Sequence, residues 1–141
     1  MAILPISLGI LASMQLGHFN PPNSRTRIEF AVTMDWRVVC ANWAKQHGFS
    51  IDSEDEGADY LYKRQTGMFA PAVFVRLRER KSTLCIETWL DLDPLTQMLT
   101  LFNCAQQSGL ESHQRGAEVE RANARLAVNR LLEQLGLQKI P

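Results

Sequence analysis

The chain has 141 residues, 45% of them hydrophobic, and its fifteen basic and fifteen acidic side chains cancel. That is enough apolar material for one domain with its own core, and the balanced charge excludes a molecule drawn as a whole to nucleic acid or an anionic membrane. Cys40, Cys85 and Cys104 are odd in number and form no C-x-x-C pair, which argues against a disulfide framework or zinc ribbon and for a reducing, cytoplasmic setting.

Residues 1–24 carry no Lys, Arg, Asp or Glu, and Arg25 is the first charge. A secretory signal needs a positive start and a spanning helix about 20 uninterrupted apolar residues, whereas this run is broken at Pro5 and Gly9. The expectation is an apolar N-terminal extension ahead of a single domain over 25–141, with no membrane role.

From Arg27 to Thr33 the sequence alternates, with Ile28, Phe30 and Val32 on one side, and predicts a half-buried strand. Thr33 or Asp35 can cap a helix whose Trp36, Val39, Cys40, Trp43 and His47 share one stripe and whose stop is Gly48. The tryptophans fall at core spacing, and His47 in the last turn complements the helix dipole.

The stretch Ile51-Asp-Ser-Glu-Asp-Glu-Gly-Ala-Asp-Tyr60 holds five carboxylates. Asp52, Glu54, Glu56 and Gly57 match places one, three, five and six of a calcium loop, but the twelfth place, which needs a bidentate glutamate, is Lys63. Asp59 to Arg64 is rich in β-formers, where an EF-hand needs a helix. No metal is expected, and the stretch reads as an acidic connection between helix and strand.

Between Pro71 and Asp93 two alternating runs flank a polar turn at Arg80 to Thr83, the pattern of a hairpin. Setting 80 opposite 83 places 78 opposite 85, 76 opposite 87 and 74 opposite 89. Val73, Val75, Leu77, Leu84, Ile86 and Leu90 then form a core face. The other face carries Phe74 against Trp89, Arg76 against Glu87, and Arg78 and Arg80 toward the turn. Residues 60–81 hold six basic side chains against Glu79, beside the acidic stretch.

Asp93-Pro94 followed by Leu95, Met98, Leu99 and Phe102 predicts a further helix ending near Gly109. Ser112-His113 are adjacent in sequence and lack a G-x-S-x-G elbow, so they do not make a nucleophile and base. A last helix is expected over about 116–135, with Glu118 and Glu120 in its first turn, Ala124, Val128, Leu131 and Leu135 inward, and Gly136 as its stop.

These elements predict an α+β, two-layer fold with a mainly antiparallel four-stranded sheet and about three helices, in the order β-α-β-β-β-α-α. Over residues 35–135 the order of helix, three strands and terminal helix resembles that of double-stranded-RNA-binding domains, as does the spacing of RANARLAVNRLLEQL. The chain departs from that family in carrying Glu118 and Glu120 where such domains place lysines, and in its insertion from Leu92 to Arg115.

No phosphate-binding glycine loop or H-E-x-x-H is present, so no catalytic residue, metal or cofactor is assigned. The expected function is a non-catalytic interaction or assembly module. It would bind a protein partner, or its own copies, through Phe74, Arg76, Arg78, Arg80 and Trp89. RNA binding on the basic hairpin and a small-molecule enzyme are the alternatives.

Overall fold

The computed structural model describes residues 25–55, 59–65, 67, 70–92, 107–112 and 117–141. In chain order these form β1 (Thr26–Ala31), α1 (Trp36–His47), β2 (Ser50–Asp55), β3 (Asp59–Arg64), β4 (Ala72–Arg80), β5 (Thr83–Asp91), β6 (Gln107–Ser108) and α2 (Glu118–Gln134). The strands make one antiparallel sheet in the order β1-β5-β4-β3-β2, with β6 pairing beside β1 on the same flank of β5. The architecture is therefore α+β.

The hairpin forms in the expected register, Phe74 opposite Trp89, Arg76 opposite Glu87, Arg78 opposite Cys85 and Arg80 opposite Thr83. Its two-residue turn places Lys81 and Ser82 at φ 49° and 70°, the left-handed pair that matches the twist of the strands. Val73, Val75, Leu77, Leu84, Ile86 and Leu90 are all buried, and with Ile28 and Tyr62 they face the helices.

Helix α1 lays Trp36, Cys40 and Trp43 on this face, and Gly48 closes it in a left-handed conformation. Trp43 joins three elements. Its ring stacks on Phe49 and meets Tyr62 edge-on, and its Nε1 donates to the Ala127 carbonyl of α2 at 2.7 Å. Helix α2 buries Ala124, Ala127, Val128, Leu131 and Leu132, and Gly136 follows it at φ 75°.

Several expectations need correction. The acidic stretch is not a connection: Ser50–Asp55 is an edge strand, paired with β3 despite every side chain being exposed. Backbone pairing with Tyr60, Leu61 and Tyr62 overrides its poor strand propensity. The described sheet thus exceeds four strands, and four full strands rather than three separate α1 from α2, so the element order of a double-stranded-RNA-binding domain does not hold. Two helices lie among the described residues. The helix expected after Pro94 lies largely outside the described residues, and its expected end at Gln107–Ser108 is a strand on β5. The 1–24 extension and His113 also lie outside them.

Candidate functional site

The period of two that sends six hairpin residues into the core sends the alternate residues to the sheet's outer face, turned away from α1 and α2. Phe74, Arg76, Arg78, Arg80 and Trp89 are all on that outer face. They join Arg27 and Glu29 from β1, Asp59 and Lys63 from β3, and Cys85, Glu87 and Asp91 from β5.

Trp89 is enclosed, and Phe74 is half-buried against it. Phe74 and Trp89 stack with ring centres 5.2 Å apart, and the Arg25 guanidinium lies 3.7 Å from the centre of the Trp89 ring. Lys63 sits over Phe74 at 5.7 Å. Trp89 is 4% exposed, so the ring expected as a contact surface is itself covered. Among the described residues its Nε1 and Asp91 Oδ1 are buried without a hydrogen-bond partner.

The arginines divide into spent and available groups. Arg76 lies opposite Glu87 in register, yet it turns toward Asp59 and donates from Nε and Nη2 at 3.1 and 2.8 Å. Glu87, only 5% exposed, instead accepts from Arg25 at 3.2 Å and from Arg27 Nε at 3.0 Å. Arg78 reaches both carboxylates loosely, 3.6 Å from Glu87 and 3.8 Å from Asp59. Arg80 is exposed beside the turn and acts on Asp59 only through its charge.

The ion pairs hold both acids ionised. Burial pushes the Glu87 carboxyl up, but the Arg27 hydrogen bond and the charges of Arg27 and Arg25 outweigh it and leave the group below its ordinary value. Asp59 is lowered chiefly by its hydrogen bond from Arg76. Burial raises the Cys85 thiol to about 11 and that of Cys40 to about 12, so both stay protonated and poorly nucleophilic at neutral pH.

Toward the hairpin turn the outer face has a hollow of about 180 Å³, walled by Arg27, Glu29, Arg78, Arg80 and Thr83, with Cys85 and Glu87 lining it too. Two guanidiniums with unspent donors, Arg78 and Arg80, border it. Arg25, Arg27 and Asp59 were not singled out by the sequence, because nothing in it shows that β1 pairs with β5 or that β3 sets Asp59 opposite Arg78. The only sequence signal was the alternation of Arg25, Arg27 and Glu29 on the outward positions of the first strand.

Among the described residues no group of three or more His, Cys, Asp or Glu is placed to hold a metal ion, and no helix is long and apolar enough to cross a membrane. Comparison with known proteins returns no matching family model, curated protein or solved structure.

Proposed function

We propose that this chain is a non-catalytic interaction module that binds a protein partner on the outer sheet face, at the hairpin end, by taking up carboxylates of an acidic segment. The observation that carries the reading is the division among the guanidiniums. Arg76 is held by a bidentate carboxylate, while Arg78 stands no closer than 3.6 Å to any carboxylate that it pairs with and Arg80 is exposed beside the hollow. A guanidinium fork with spare donors matches a carboxylate in two parallel hydrogen bonds, whereas one already saturated offers little. The binding set therefore narrows from the whole stripe to Arg78 and Arg80, which border the hollow.

The remaining basic side chains of this face are interleaved with Glu29, Asp59, Glu87 and Asp91. That pattern supports register-specific recognition of a folded or extended protein over adhesion to a phosphate backbone.

The test compares native pull-downs of the wild type with those of an Arg78→Glu, Arg80→Glu double variant of unchanged melting temperature. A partner retained by the wild type, lost by the variant and carrying an acidic segment is the expected outcome. Identical captures by both proteins overturn the reading. A gel shift with single- or double-stranded RNA whose affinity falls steeply with salt would transfer the face to nucleic acid.

A further inference from the structure

One cross-strand row orders the charges of the outer face. Asp55 of β2 lies opposite Asp59 of β3, Asp59 opposite Arg78 of β4, and Arg78 opposite Cys85 of β5. Directly opposed residues of an antiparallel ladder point to the same side, so Asp55 shares the outer face with the hollow that Cys85 lines. The two are three strand spacings apart, roughly 14 Å, at the same level along the strands.

The ends of that row carry opposite, uncommitted charge. Asp55 is exposed, as are Asp52 and Glu54 beside it, and among the described residues none of the three forms a salt bridge. At the hollow Glu87 is held by Arg25 and Arg27, whereas Arg78 stays 3.6 Å or more from its carboxylates and Arg80 is exposed. Between them the face is open to solvent, with the side chains of Arg76 and Arg78 34% and 32% exposed.

We propose that the acidic segment taken up by the hollow is β2 of a second copy of this chain, in a face-to-face dimer whose two-fold axis runs along the strands between β3 and β4. The inference rests on the reading of Arg78 and Arg80 as carboxylate binders. This axis brings Asp55 of each copy over Cys85 of the other, into the hollow that Arg78 and Arg80 border, and brings Asp59 over Arg78. The charges choose its position. An axis on β3 would set Asp59 over Asp59, one on β4 would set Arg78 over Arg78, and one between β2 and β3 would set Asp55 over Asp59, all like-charged. Each contact generates its reciprocal, so the interface is isologous and closes at two subunits. Exposed ion pairs contribute little each and are screened by salt, so the dimer is weak and salt-sensitive.

The test is sedimentation equilibrium of the full chain at rising micromolar concentration and low salt, where the wild type is expected to approach twice the chain mass. Raising NaCl from about 50 to about 500 mM is expected to raise the dissociation constant about tenfold or more. Asp55→Lys, an exposed change that leaves the hollow intact, and the Arg78→Glu, Arg80→Glu double variant are each expected to do the same at low salt, with circular dichroism showing both folded. An equimolar mixture of the two sets the introduced lysine against the introduced glutamates in one contact and keeps Asp55 against Arg78 and Arg80 in the other, and is expected to re-form the dimer. A wild type that stays monomeric, a dimer that survives Asp55→Lys, or variants that fail to associate when mixed would each overturn the dimer, and the capture of another acidic protein would still stand or fall on the pull-down. A dimer lost in Asp55→Lys but kept in the arginine variant would overturn the carboxylate reading of the hollow as well.

Discussion

Glu87 and Arg27 stand directly opposite each other on β5 and β1, and the buried carboxylate accepts hydrogen bonds from both Nε and Nη2 of the guanidinium, at 3.0 and 2.5 Å. Arg25 and Arg78 bring two further positive charges to the same acid. Removing the acid's charge leaves three guanidiniums on one face with no common counter-charge. Glu87→Gln, which keeps the shape, is expected to cost about 1–3 kcal/mol. A lower urea midpoint at pH 7 with an unchanged m-value checks this; a midpoint equal to the wild type would show that the cluster is compensated elsewhere.

The same cluster sets the response to acid. Glu87 and Asp59 both titrate below their ordinary values of 4.5 and 3.8 in the folded chain. A carboxyl with a depressed folded value contributes stability that is fully present above its unfolded value and is lost as pH falls through the folded one. The melting temperature is therefore expected to be flat above about pH 5 and to fall below it, as these pairs are protonated. Glu87→Gln removes one of the two titrations, so its curve starts lower at neutral pH and falls less on acidification. A parallel fall in both proteins would assign the acid sensitivity to other groups.

The hairpin and the two described helices were legible because each has a local period. Residues 73–90 alternate without interruption across a two-residue turn, and Trp36, Cys40 and Trp43 repeat at helical spacing before Gly48. What was not legible depends on strand order. The Arg76–Glu87 register was readable, but the ion pair it suggested does not form, since Asp59 approaches Arg76 from β3 and Arg25 and Arg27 approach Glu87 from β1. The acidic stretch carries no core-facing alternation, so only its partner strand reveals it. Arg121 escaped notice for a related reason. An arginine on a helix reads as solvated, yet this one is buried and donates to the Gly109 carbonyl at 2.9 Å and Ser108 Oγ at 2.6 Å, tying α2 to β6.

The hairpin turn offers a stabilising change. Ser82 holds φ 70°, a conformation that costs an L-residue with a Cβ roughly 1 kcal/mol and glycine almost nothing. Glycine is also the favoured second residue of such a turn. Ser82→Gly is expected to gain about 0.5–1 kcal/mol, part of the relief being offset by greater freedom of the unfolded chain. Thermal melting checks it, with a rise of a few degrees expected; a fall would mean that the Ser82 side chain contributes more than its backbone strain costs.

Trp43 and Trp89 are both buried, but their indole nitrogens are in opposite situations. Trp43 donates to Ala127 O at 2.7 Å, whereas Trp89 Nε1 has no partner among the described residues. Phenylalanine in place of Trp43 loses a hydrogen bond between α1 and α2 and also loses ring volume at a fully buried site. Trp43→Phe is accordingly expected to cost about 2–3 kcal/mol. Phenylalanine in place of Trp89 loses volume too, but it also removes a donor whose burial without a partner is itself costly, and it keeps an aromatic face for Phe74 and Arg25. Trp89→Phe is expected to cost about 1 kcal/mol or less. Denaturation of the two variants side by side gives the comparison, and the reverse ranking would require a hydrogen-bond acceptor at Trp89 Nε1.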